Sequence, residues 1–155
     1  MSGKTFVLIA DDDSAICFAL AAAVRQQQLT PLIAADGITA VEIVDRYGAR
    51  IVAAFVDWRM PRLDGLGFLL ALRQNNNDLP CCLMSAFRPP ALNPGSSAPF
   101  EFLLKPFDLD QFFHKLTMLG ARPNNGVEVT NDESASLRDS NSDSRFVDSV
   151  CTECG

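Results

Sequence analysis

Five short apolar runs, each stopping at a polar or charged residue, constrain this chain more than any other feature. They are Phe6–Ala10, Leu29–Ala35, Ile51–Val56, Leu79–Met84 and Phe100–Leu104. The residues that stop them are Asp11, Asp36, Asp57, Ser85 and Lys105. A continuous apolar run of this length reads as a strand covered on both faces, the pattern of a parallel sheet. Pro31 near the start of the second run suggests an edge strand or the first residue of one.

Helical stretches separate the runs. Ser14–Gln28 carries Ile16, Leu20, Ala23, Val24 and Gln27 on one stripe, and its alanines favour helix. Ile38–Tyr47 places Ala40, Val41 and Val44 on one face, and Gly48 ends it. Leu66–Gln74 turns Phe68, Leu69 and Leu72 inward. Asp108–Leu119 opens with Asp108 and Gln111 at capping-box spacing and points Leu109, Phe112, Phe113 and Leu116 inward. Such alternation implies an α/β fold, a doubly wound parallel sheet of five strands. One unit breaks the rhythm. Between Ser85 and Phe100 stand Pro89, Pro90, Pro94 and Pro99, with Gly95, Ser96 and Ser97. An interior proline costs a helix about 3 kcal/mol, so the fourth helix of the alternation is expected to be degenerate or missing. The segment Phe87–Pro99 reads as an irregular loop.

The chain has 155 residues and a net charge of −6. That length suits one domain with a tail. Residues 1–120 read as the domain. Residues 121–155 hold seven acidic and three basic residues and few large apolar ones, a composition that reads as a disordered acidic tail. The acidic balance argues against a nucleic-acid surface. No apolar stretch approaches the roughly 20 residues of a membrane helix. Five cysteines, an odd number, with Cys17, Cys81 and Cys82 inside apolar segments, suggest a reducing cytoplasm without a disulfide framework. There is no secretory signal pattern at the N-terminus.

In open α/β sheets chemistry gathers past the carboxyl ends of the strands. Those ends offer Asp11 and Asp12, Asp57, Ser85 and Lys105. They meet in one crevice if the first, third, fourth and fifth strands are neighbours. Asp13 reads as a helix cap or a solvated neighbour. Clustered carboxylates repel one another unless a cation sits among them. Hard oxygen ligands without His or Cys suit Mg²⁺. A lysine and a hydroxyl nearby can hold phosphate oxygens. The set fits an aspartate that accepts a phosphoryl group with Mg²⁺ assistance.

At this point the chain resembles the receiver domain of two-component response regulators. VLIADDDSAI is similar to that family's first strand and acidic pair. DWRMPRLDG resembles its phosphoacceptor segment, Ser85-Ala86 its hydroxyl position, and LLKPF its Lys-Pro segment. The four motifs stand in order, and the resemblance covers Lys4–Leu119. The resemblance implies a flavodoxin-like receiver fold with strand order 2-1-3-4-5. It implies Asp57 as phosphoacceptor, with Ser85 and Lys105 on the phosphoryl oxygens. Asp12 and Asp57 would bind Mg²⁺, Asp11 in support mostly through water, and Arg59 through its backbone carbonyl. Phe102 stands at the switch position, and the Lys105-Pro106 bond is expected to be cis. Arg59 and Phe87 would flank the site. The partners implied are a sensor histidine kinase or phosphotransfer protein and a downstream protein target, with no nucleic acid and no membrane. The expected unit is a stand-alone cytoplasmic receiver that catalyses only its own aspartyl phosphorylation and dephosphorylation.

Other readings stay open. The chain could be a receiver-like interaction module that works without phosphorylation. It could, more remotely, be a thiol redox protein using Cys151 and Cys154. Phe102 also reads as plain core, and His114 as a surface residue away from the crevice.

Overall fold

The computed structural model of the chain describes residues 3–88 and 100–122. The strands are β1 (Phe6–Ala10), β2 (Thr30–Ala34), β3 (Ile51–Asp57), β4 (Cys81–Ser85) and β5 (Phe100–Leu104). They pair in parallel in the order β2-β1-β3-β4-β5. The helices among the described residues are α1 (Ser14–Gln26), α2 (Gly37–Tyr47), α3 (Gly65–Gln74) and α4 (Leu109–Met118). This is the expected doubly wound receiver fold. Residues 89–99, on which the irregular-loop reading and the missing helix fall, lie outside the described residues, as do residues 123–155 with Cys151 and Cys154.

Successive side chains of a strand point to opposite faces, and here both faces are buried. Val7, Ile9, Ala53, Phe55, Cys82 and Met84 pack on the side of α1 and α4. Phe6, Leu8, Ala10, Ala54, Val56 and Leu83 pack on the side of α2 and α3. Phe55 meets Phe112 of α4 with ring centroids 4.5 Å apart, a tilted pair. Pro31 lies in β2, which is an edge of the sheet.

Each helix starts on an aspartate. Asp13, Asp36, Asp64 and Asp108 are the N-caps of α1 to α4, each accepting an amide of its own first turn. The Asp108–Gln111 capping box forms, with both reciprocal bonds present. Gly48 ends α2 at a φ of 57°, a conformation that favours glycine.

Several boundaries differ from the reading of the sequence by one or two residues. Helix α1 stops at Gln26, because Gln28 turns left-handed at a φ of 59°; β2 accordingly starts at Thr30, after that turn. Strand β3 runs one residue further, through Asp57, whose Cα pairs with Met84. Strand β4 starts at Cys81, because Pro80 has no amide and serves only as an acceptor, for Ala54. Leu109, expected inward, is exposed. It occupies the first position of α4 and lines the mouth of a groove with Ile16, Ala19, Leu20 and Pro106. Leu116 and Phe112 do face in, while Phe113 is half-buried.

Candidate functional site

Three hydrogen bonds between neighbouring segments fix the carboxyl ends of the strands. The Asp11 amide donates to the Ala34 carbonyl at 3.0 Å. The Trp58 amide donates to the Met84 carbonyl at 2.7 Å, and the Lys105 amide to the Ser85 carbonyl at 2.7 Å. The side chains that follow are therefore placed by the sheet. Asp11, Asp57 and Ser85 are the buried polar residues among those described. Asp12 is exposed and Lys105 half-buried.

Carboxylate oxygens of Asp11, Asp12 and Asp57 lie within 4.8 Å of one another. The Lys105 ammonium bridges two of them, donating to Asp57 Oδ1 at 2.7 Å and Asp11 Oδ2 at 3.0 Å. The other Asp11 oxygen accepts the Asp13 amide at 2.9 Å. Burial pushes the Asp57 carboxyl above its ordinary value. Lys105 opposes that push, and the charges of Asp11 and Asp12 add to it. For Lys105, burial works to lower the ammonium, but its bonds to Asp57 and Asp11 carry it above the ordinary lysine value. One cation thus faces three carboxylates, leaving the crevice short of positive charge.

Oxygens around an octahedral Mg²⁺ at about 2.1 Å stand roughly 3–4.2 Å apart. Small side-chain rotations would bring the three carboxylates to that spacing, and Asp12 lies at the open side. The donors are hard oxygens throughout, as Mg²⁺ prefers. The residues present fit the ion.

The segment after Asp57 folds back on it. The Gly65 amide donates to the Trp58 carbonyl at 3.0 Å, and a Cβ on Gly65 would strike the Asp57 carbonyl oxygen. Glycine is required there by close approach of backbone. At the mouth, the Arg59 guanidinium stacks over the Phe87 ring at 5.2 Å, so these two flanking residues meet. The Ser85 hydroxyl accepts the Phe87 amide at 3.2 Å. Phe102 is half-buried and packs against the α2–α3 side of the core. The Lys105-Pro106 bond is cis. His114 is exposed.

A family model described as response regulator receiver domain matches residues 7–117. The chain belongs to that family. The receiver is 32% identical over 113 residues to the sensor kinase CckA of Brucella abortus (strain 2308), covering 72% of this chain and 12% of the kinase. It is 31% identical over 136 residues to the response regulator MprA of Mycobacterium ulcerans (strain Agy99), covering 83% of this chain and 54% of that regulator. The chain therefore spans a small part of the kinase and about half of the regulator. Among solved structures, the receiver domain of the Francisella response regulator 1452 superposes with a TM-score of 0.66 at 27% identity, over 75% of this chain and 96% of that one. These likenesses make the protein part of two-component signal transduction.

Sequence reasoning placed Asp11, Asp12, Asp57, Ser85 and Lys105 in one crevice; the receiver brings the three carboxylates and the Lys105 ammonium together, while Ser85 ends the neighbouring strand β4 with its hydroxyl on the Phe87 amide. It missed a second cluster. Arg62, in the turn after Asp57, donates to Asp36 Oδ1 at 3.0 Å and Thr39 Oγ1 at 3.2 Å. Asp36-Gly37 reads in sequence as a turn; it is the cap and first residue of α2. No periodicity signals a bond between residues 26 apart. The cysteines Cys17, Cys81 and Cys82 are buried. Burial raises all three thiols, Cys81 to about 12, so they remain protonated and unreactive at neutral pH. Among the described residues no helix is long and apolar enough to cross a membrane.

Proposed function

We propose that this receiver takes a phosphoryl group onto Asp57 from a phosphohistidine of a histidine kinase or phosphotransfer protein, and signals by altered binding to a downstream protein. The observation that carries the reading is the crevice itself: three carboxylates from two strand ends, with one lysine between two of them. In the transfer, an Asp57 oxygen bonds to phosphorus. The N–P bond breaks and its electron pair stays with the imidazole. Hydrolysis later returns the carboxylate and inorganic phosphate. Mg²⁺, held by Asp12 and Asp57, by Asp11 chiefly through water, and by the Arg59 carbonyl, would neutralise charge on the phosphoryl oxygens.

The other roles belong to this chain's own side chains. Lys105 already pairs with the acceptor and turns its ammonium to the incoming oxygens. Ser85 donates its hydroxyl to another of them. Phe102, in the middle of β5 and paired with Leu83 two residues before Ser85, moves inward as the hydroxyl moves. The reaction is self-modification, so the chain is its own substrate. The kinase match supports a protein donor, and the net charge of −6 supports a protein over a nucleic acid as target. The cytoplasm is the compartment in which such a donor would present its phosphohistidine. We also propose residues 1–120 as the receiver body and residues 121–155 as a tail, with the boundary corrected at Ala121, which is buried in the core with Leu116 and Leu119 and belongs to the body.

The test is incubation with acetyl phosphate and Mg²⁺, read by intact mass and site mapping. Wild type gains one phosphoryl group, and none with EDTA. Asp57→Asn gains none. Equal uptake by Asp57→Asn would overturn the assignment.

A further inference from the structure

The loop between Asp57 and α3 contains an unfavourable backbone conformation with no role in the chemistry above. Arg62 has a φ of 69°, and the Leu63 amide donates across it to the Pro61 carbonyl at 2.7 Å. That is a γ-turn of the positive-φ kind, which is rare and strained. A non-glycine residue there is disfavoured and persists only where its surroundings over-determine it.

The surroundings do so. The Arg62 guanidinium reaches Asp36 and Thr39 through one nitrogen, Nη2. Asp36 is itself anchored as the N-cap of α2, accepting the Thr39 amide at 2.7 Å and the Thr39 hydroxyl at 3.1 Å. The next loop residue is held as well. A Cβ on Gly37 would collide with the Leu63 carbonyl oxygen, so the backbone of α2 touches the backbone of the loop. The far end of the loop closes on the Asp57 peptide through Gly65. A rigid path therefore runs from Asp36 through Arg62 and Leu63 to the residues that border the crevice.

An exposed ion pair alone contributes little to stability. With the Arg62 side chain 56% exposed, stability is a weak reason for this arrangement. Placement of the loop is a better one.

We infer that Arg62 is a positioning residue, a clamp that ties the acceptor loop to the start of α2 and so holds Asp57 and the Arg59 carbonyl in place for phosphoryl uptake. This role rests on the phosphoacceptor reading. It acts through the loop, since Arg62 bonds Asp36 and Thr39 and none of the crevice side chains.

Two measurements on the full chain test it. The first is amide hydrogen exchange without metal or donor. In Arg62→Ala the Leu63 and Gly65 amides exchange about tenfold faster, while those of β1 and β3 keep their wild-type rates. Arg62→Lys, which keeps a cation able to reach both acceptors, restores slow exchange. The second is the initial rate of uptake from acetyl phosphate with Mg²⁺. Misplacement of a reacting group by about 1 Å can cost up to 10²-fold; we expect about a tenfold fall in Arg62→Ala with the half-saturating donor concentration nearly unchanged. Asp36→Asn keeps a capping oxygen and falls comparably, and the double variant falls no further than the lower single. Unchanged loop amides in Arg62→Ala overturn the clamp. Faster amides with wild-type uptake, or fully additive falls, overturn the positioning role. A wild-type chain that takes up no phosphoryl group overturns the acceptor reading and this role with it, whereas wild-type uptake matched by Arg62→Ala overturns the role alone.

Discussion

Asp57 and Asp36 each follow a short apolar run, and each bonds a basic side chain, Lys105 at 2.7 Å and Arg62 at 3.0 Å. Their surroundings are opposite. Asp36 accepts a backbone amide, a hydroxyl and a guanidinium. The Thr39 amide above all, with Arg62 and the Thr39 hydroxyl, holds its carboxyl below the ordinary value. Asp57 is buried among like charges, and burial first, then Asp11 and Asp12, push its carboxyl up. A carboxylate surrounded by donors is at rest and serves the scaffold. One buried in a charge deficit is unfinished, and binding a cation or neutralising its neighbours lowers its free energy. Two aspartates of the same local sequence type thus do different work because of what the sheet and loops bring to them.

The sharpest way to break the contrast is to remove the cation from the crevice. Lys105→Ala should lower the rate of uptake by about 10²-fold or more, the usual effect of losing one charge-stabilising donor. Mg²⁺ affinity should hold or rise, since a competing cation beside the carboxylates is gone. Trp58 is the single tryptophan and directly follows Asp57, so its fluorescence can follow the Mg²⁺ titration. A clear loss of Mg²⁺ affinity would mean that Lys105 organises the metal ligands rather than the phosphoryl group.

Next in size is a change at the two glycine contacts. Gly65→Ala drives a methyl into the Asp57 carbonyl, and Gly37→Ala drives one into the Leu63 carbonyl. Backbone cannot yield as a side-chain tip can. Each should destabilise by about 2 kcal/mol, a fall in Tm of roughly 5–10 °C. Below its Tm, Gly65→Ala should also be the slower of the two in uptake, because its clash is with the acceptor's own peptide. Equal melting of both variants and wild type would show that the loop shifts freely.

The crevice was legible because its parts obey local rules. An apolar run that stops at a charge marks a strand end, and α/β sheets gather such ends on one edge. Asp11, Asp57, Ser85 and Lys105 follow from that alone. The clamp was illegible because Asp36 and Arg62 each have a complete local explanation, as turn residue and solvated charge. Their pairing depends on the left-handed turn at Arg62, which no residue type there announces; Gly and Asn favour that conformation and Arg does not. Leu109 misleads for a related reason. Helical spacing assigns it to the inward stripe, yet at the first position of α4 it stands at the rim of a groove and stays exposed.

The smallest expected effect separates the two aspartates by sign. The folded Asp57 carboxyl lies above its ordinary value of 3.8 and the folded Asp36 carboxyl below it. As pH falls from neutrality, Asp57 binds its proton in the folded protein before it does so in the unfolded chain. Its contribution to stability therefore rises as pH drops through the raised value, and is complete below 3.8. Asp36 behaves oppositely. Its stabilisation is present above 3.8 and is lost as pH falls through its lower folded value. Lys105, raised above the ordinary lysine value by its two carboxylate partners despite burial, loses its contribution only at alkaline pH and leaves the acid range undisturbed. Urea unfolding in EDTA at several pH values from neutral downward tests this against Asp57→Asn and Asp36→Asn. Wild type should gain stability relative to Asp57→Asn as pH falls towards 4, an effect smaller than that of either glycine change. Relative to Asp36→Asn it should lose stability, and only at the acid end. A wild-type advantage over Asp57→Asn that shrinks on acidification would mean that Lys105 outweighs burial at the acceptor, and that the crevice is as well satisfied as the clamp.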